Sequence, residues 1–219
     1  MTLPAEVAFP QGVDALEAAL DASRDGTFPF FGEEDKTWEE WWVLARAARL
    51  CAGQMGFPAR FRAIKSEAPD FWIQWDDIQI AVEITEASGS DGQVVRALRH
   101  SSDALNHLGE GRVEIDETQN PKRRGAVPYT RFEGGVVDDE WEIATRDDFF
   151  AALESKRAKP YAEGAILICY KNSTAFPDPE ALNEYLPASA AHWPFSLVVL
   201  LGGAWAWLFN MSGRTLVSS

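Results

Sequence analysis

The chain has 219 residues, of which 46% are hydrophobic, and its formal net charge at pH 7 is −14. These values are typical of a globular domain with a substantial core, and they exclude an intrinsically disordered protein. The negative charge also argues against a protein that holds nucleic acid mainly through its phosphates, because such proteins need a basic surface.

The sequence contains no pattern that would send the chain out of the cell or into a membrane. The N-terminus lacks a signal peptide, and the longest apolar run, residues 195–209, is too short for a bilayer and is interrupted by Gly202-Gly203. Cys51 and Cys169 lie outside any metal-ligand spacing, so we expect both to be buried as small apolar side chains. We therefore expect a cytoplasmic protein in reducing surroundings, with no membrane contact.

Two helices are predicted near the N-terminus. Residues 13–23 have the apolar spacing of a short acidic helix. The sequence Thr37-Trp38-Glu39-Glu40 has the form of a capping box, which predicts a second helix from there to about Cys51. We expect residues 1–36 to form an N-terminal appendage and residues 37–219 to form the main domain.

Residues 59–87 predict a meander of about three strands. The last of these strands places four apolar side chains on one face, namely Ile78, Ile80, Val82 and Ile84. Glu83 and Thr85 therefore share the opposite face. A hairpin around Asp76-Asp77 would bring Asp70, at the start of the preceding strand, alongside them. Two such carboxylates are oxygen ligands of the kind that Mg²⁺ or Mn²⁺ takes, and Asp70 and Glu83 are therefore the candidate metal ligands.

The remaining elements predict an α/β fold. We expect a helix over 91–108, an irregular insertion at about 110–145, a helix over 146–159, a buried strand over 165–170 and a closing hairpin over 195–209. This order predicts a mixed central β-sheet flanked by helices.

The segment Ala68-Pro69-Asp70-Phe71, followed by Val82-Glu83-Ile84-Thr85-Glu86-Ala87, resembles the PD-(D/E)XK nuclease superfamily, which has the restriction-endonuclease-like fold. The resemblance covers residues 37–110, and beyond them only the order of elements agrees. It implies that Asp70 and Glu83 bind Mg²⁺ and that a lysine two residues after the glutamate orients or activates the attacking water. Thr85 occupies that position here, and threonine is not a base near neutral pH.

The resemblance also implies roles for residues outside the motif. In relatives the basic residue can migrate to another element, and Lys65 is the candidate here. A glutamate on the first core helix often reaches the metal, which suggests Glu40, although its position in the capping box explains it equally well. A helix that carries Lys and Tyr past the site suggests that Lys156, Lys159 and Tyr161 bind substrate. Cations at a helix C-terminus are also favoured by the helix dipole, so this pattern has two explanations.

Two functions follow from these observations. The first is a metal-dependent nuclease that hydrolyses the phosphodiester bonds of a nucleic acid. The acidic charge is compatible with it if the metal neutralises the local carboxylates or if a protein partner delivers the nucleic acid. The second is a catalytically inactive relative that acts as a protein-binding or regulatory module. Thr85 and the net charge favour the second, whereas converging carboxylates favour the first, because without a metal they would repel one another.

Overall fold

The computed structural model describes residues 3–22, 36–87, 140–157, 159–171 and 178–218. The helices in these ranges are α1 (Val13–Ala22), α2 (Lys36–Cys51), α3 (Glu140–Arg157) and α4 (Pro179–Leu182). The strands are β1 (Glu6–Phe9), β2 (Phe61–Lys65), β3 (Phe71–Trp75), β4 (Ile78–Glu86), β5 (Ile166–Tyr170), β6 (Leu197–Leu201), β7 (Trp205–Asn210) and β8 (Gly213–Ser218). None of the described helices is both long and apolar enough to cross a membrane.

The eight strands form one mixed sheet in which their spatial order follows the order of the chain. Strands β1 to β4 form an antiparallel meander, β4, β5 and β6 are parallel, and β6 to β8 are again antiparallel. Strands β5 and β6 are buried along their whole length, as expected for parallel strands that are covered on both faces. The predicted α/β fold with a mixed sheet is therefore confirmed.

Helices cover both faces of the sheet, so the protein has two hydrophobic cores. The first core packs α1 and α2 against alternate strand residues such as Val82, Ile84 and Ile168. The second packs α3 and α4 against residues of the opposite parity, such as Leu167 and Cys169. Because side chains alternate along a strand, β4 directs Val82 and Ile84 toward α2, and its intervening residues face α3.

The two predicted hairpins are confirmed. Strands β3 and β4 are joined at Asp76-Asp77, where Asp76 has a φ of 51°, a left-handed conformation that aspartate tolerates. Strands β6 and β7 are joined around Gly202-Gly203. A Cβ at Gly202 would collide with the indole of Trp205, so this turn requires glycine.

Several other predictions need correction. Helix α2 begins at Lys36, so Thr37 lies inside its first turn and the capping box predicted there is wrong. Residues 140–145 belong to α3, not to an irregular insertion. The sequence did not predict β1 or β8, and β1 pairs with β2 in the same sheet. The helix predicted over 91–108 lies outside the described residues.

A matched pair of substitutions tests this arrangement of cores. Ile168 on β5 is fully buried, whereas Ile78 at the β3–β4 hairpin is 56% exposed. We expect Ile168→Ala to lower the free energy of unfolding by about 2–5 kcal/mol, because it leaves a cavity between strand and helix. Ile78→Ala should change it by only about 0.5 kcal/mol. Urea denaturation measures both values, and equal losses would contradict the placement of the core.

Candidate functional site

Asp70 lies in the turn between β2 and β3 and is buried. Its Oδ2 atom accepts a hydrogen bond of 2.7 Å from the backbone N–H of Ile84 on β4. The antiparallel register, which pairs Phe71 with Val82, brings the start of β3 to this part of β4. The hairpin therefore holds the Asp70 carboxylate against the β4 backbone at Ile84, the residue after Glu83.

Glu40 reaches the same place from α2 and is only 5% exposed. Its Oε2 atom lies 2.8 Å from Nζ of Lys65, and its Oε1 atom lies 3.3 Å from Nζ of Lys36. Burial raises the pKa of the Glu40 carboxyl. The charge of Asp70 and a hydrogen bond with its side chain raise this pKa further, against the opposing effect of Lys65. Glu40 and Asp70 therefore form a close pair of acidic groups at the edge of the first core.

Lys65 is fixed by this pair and by the turn that carries Asp70. Its Nζ atom donates to the backbone oxygens of Ser66, at 2.7 Å, and of Asp70, at 2.9 Å, in addition to its contact with Glu40. An ammonium group has three N–H donors, so all three are used. This geometry gives Lys65 a position beside the candidate ligands, but it does not favour the role of a replacement base.

Glu83 lies on the face of β4 that is turned toward α3, where it meets a different lysine. Its Oε2 atom is 3.2 Å from Nζ of Lys156, which lies in the last turn of α3, and both side chains are largely buried. Thr85 follows two residues later on the same face and is half-buried. Lys156 therefore approaches Glu83 from a helix, on the face of β4 that also carries Thr85.

The hydroxyl group of Tyr161 also belongs to this site. Burial raises the pKa of Tyr161 to about 12, and the negative charges of Glu83 and Asp70 add to the effect, so the phenol stays protonated at neutral pH. The buried Oη atom has no hydrogen-bond partner among the described residues. The pKa of Lys36 is raised by Glu40 first and also by Asp70 and Glu83, so the negative charges of all three carboxylates act on this lysine.

Lys159 was predicted to bind substrate together with Lys156 and Tyr161, but its position differs from theirs. Its side chain is exposed and makes no ion pair with these carboxylates within the described part of the chain. The structure therefore brings Lys156 and Tyr161 to the acidic groups and leaves Lys159 at the surface after α3.

An open cavity of about 410 Å³ lies beside the acidic pair. Five charged residues and two residues with hydroxyl groups line it, namely Lys36, Glu40, Lys65, Glu67, Asp70, Thr37 and Ser66. In the described ranges no group of three or more His, Cys, Asp or Glu is placed to hold a metal ion. The donors present are the oxygens of Glu40 and Asp70, with Glu83 nearby. Such a set suits Mg²⁺, which binds through one or two carboxylates and keeps several waters.

No protein-family model, curated protein or solved structure matches this chain. The resemblance to PD-(D/E)XK nucleases therefore stays a prediction from the sequence motif.

Sequence reasoning missed two features of the site. Lys36 precedes Glu40 by one helical turn, a spacing at which opposite charges meet, and this signal was available in the sequence. The contact between Lys156 and Glu83 joins residues that are 73 positions apart, and no local pattern predicts such a pair.

The raised pKa of Glu40 predicts how stability depends on pH in the absence of divalent cations. The folded protein binds the Glu40 proton more tightly than the unfolded chain does, so the associated stability is present at low pH and is lost as the pH rises through the folded pKa. Glu40→Gln should therefore melt at a higher temperature than the wild type at pH 8, and the difference should vanish near pH 4. Calorimetry in a chelator measures this difference. The exposed Glu154→Gln is the control, and a similar pH trend in both variants would contradict the assignment.

Proposed function

We propose that this chain is a metal-dependent nuclease that hydrolyses the phosphodiester bonds of a nucleic acid, with a site of the PD-(D/E)XK type. One observation carries the proposal: Glu83, two residues before the threonine that replaces the motif lysine, is in contact with Lys156 from α3. The neighbouring Asp70 and Glu40 supply the other carboxylates that such a site needs.

Of the three carboxylates, Asp70 together with Glu83 or Glu40 would hold Mg²⁺ or Mn²⁺, because such a cation binds through one or two carboxylates and keeps several waters. A bound divalent cation supplies a Lewis acid for the phosphoryl oxygen and lowers the pKa of a bound water. The protein fixes the ligands before any cation arrives. Asp70 is held by the β4 backbone, and Glu40 is held by Lys65, so little side-chain freedom would be lost on binding.

Lys156 takes the role of the missing lysine in this proposal. Its ammonium group has one partner among the described side chains, Glu83, so it keeps N–H donors for a water molecule or a phosphoryl oxygen. A positive charge held there would stabilise the negative charge that develops during phosphoryl transfer. Lys65 has no such spare donor, because its three N–H groups already have acceptors.

Tyr161 would act as a neutral hydrogen-bond donor to the substrate. Its hydroxyl group lacks a partner in the described residues and lies near Glu83 and Asp70. A phosphate oxygen would satisfy this buried hydroxyl, which otherwise costs free energy.

The second candidate function is a catalytically inactive module that binds a protein partner. The net charge of −14 and Thr85 still favour it. The contact between Lys156 and Glu83 favours the nuclease, because it restores a cation where the motif lacks one. Metal binding and hydrolysis distinguish the two functions.

Metal binding should stabilise the folded protein, since only the folded state brings Asp70 and Glu83 together. We expect millimolar Mg²⁺ or Mn²⁺ to raise the melting temperature, and we expect Asp70→Asn or Glu83→Gln to abolish the increase. Glu154→Gln, at an exposed position on α3, should retain it. A melting temperature that does not respond to either cation would refute the metal site.

Hydrolysis should depend on Lys156 and not on Thr85. We expect Lys156→Met to lower the rate of cleavage by about 10²-fold or more, because one charge that stabilises the transition state is lost. Thr85→Ala should cost much less, since threonine supplies no base. The assay uses single- and double-stranded DNA and RNA with Mn²⁺ and compares initial rates. If Lys156→Met cleaves as fast as the wild type, the assignment of Lys156 is wrong.

A further inference from the structure

Within the part of the chain that the structure describes, Lys65 has more contacts than Lys36 or Lys156. Its Nζ atom lies 2.8 Å from Oε2 of Glu40 and donates to the backbone oxygens of Ser66 and Asp70. It also lies 4.9 Å from the centroid of the Phe71 ring, and its side chain is 19% exposed. An ammonium group that is fixed by this many contacts cannot move with a substrate during a reaction.

The position of this charge matters because Glu40 and Asp70 are buried together. Two carboxylates that share a site repel each other, and burial removes the water that would otherwise screen them. Lys36 also contacts Glu40, at 3.3 Å, but its own side chain is 70% exposed. Water screens a cation that is exposed to this extent, so among the described residues Lys65 is the main compensating cation.

We infer that Lys65 is the internal counter-cation of the Glu40–Asp70 pair. It keeps the pair assembled when no divalent cation is bound, and it is a positioning residue that takes no part in proton transfer. The inference deepens the proposed function, because it concerns the same acidic groups. The counter-cation role itself is measured without metal and without substrate.

The geometry separates Lys65 from Lys156. Lys65 compensates the pair formed by α2 and the β2–β3 turn, whereas Lys156 contacts Glu83 on β4. Removing the charge at Lys65 should therefore be harmful only while both members of the Glu40–Asp70 pair carry a carboxyl group. If Lys65 acted only through its hydrogen bonds to the backbone oxygens of Ser66 and Asp70, the effect of removing its charge would not depend on Glu40.

The experiment is a double-mutant cycle in a chelator at pH 8, with the melting temperature as the readout. We expect Lys65→Met to lower the melting temperature by on the order of 10 °C, because it leaves a buried pair without its cation. Adding Glu40→Gln to Lys65→Met should recover at least half of the loss. Lys156→Met is the matched control. Adding Glu40→Gln to Lys156→Met should not recover any decrease in melting temperature that Lys156→Met causes.

The outcomes separate the inference from the proposed function. If Glu40→Gln recovers nothing in the Lys65→Met background, or if both variants fail to fold, Lys65 acts through the backbone and the inference is wrong. A double variant that folds where Lys65→Met does not would support it. In Mn²⁺ the melting temperature of Lys65→Met should rise more than that of the wild type. Mn²⁺ could change the melting temperature of no variant while Glu40→Gln still recovers the loss in Lys65→Met. That result would refute the metal-dependent function and support the counter-cation role.

Discussion

Repulsion among three carboxylates, two of which are buried, governs the rest of this site. Glu40, Asp70 and Glu83 come from a helix, a turn and a strand, and their charges act on the same neighbouring groups. Each carboxylate accordingly has a compensating contact. Lys65 lies against Glu40, Lys156 lies against Glu83, and a backbone N–H is directed at Asp70. Without these contacts, mutual repulsion and lost hydration would oppose folding.

The carboxylates approach one another at β4, the strand that joins the antiparallel meander to the parallel strands. On one side β4 continues the antiparallel meander, whose turn positions Asp70, and on the other side it begins the parallel strands. Its two faces belong to different cores, so Glu83 faces α3 while Ile84 packs toward α2. A fold of this type hosts many functions, and the functional argument therefore depends on the side chains placed on it.

Local patterns in the sequence predicted part of this arrangement. The period of two along β4 is a steric property of strands, so the shared face of Glu83 and Thr85 and the approach of Asp70 could be predicted. The three acceptors of Lys65 depend on the path of the turn after β2, which no periodicity describes. Lys156 reaches Glu83 only because α3 packs on β5 and β4, and this long-range packing was not predictable from spacing.

The acidic composition of the chain agrees with this arrangement of charges at the site. The chain has 34 acidic and 20 basic residues, and three of its lysines, Lys36, Lys65 and Lys156, are directed at carboxylates of the site. The charges of these lysines are offset by the carboxylates that they contact, so they contribute little to a basic surface that would attract nucleic acid over a distance. Association with phosphates outside the site would then be weak, because little counterion release would drive it. A nuclease built in this way would depend on short-range contacts at the carboxylates, or on a partner that brings the nucleic acid to them.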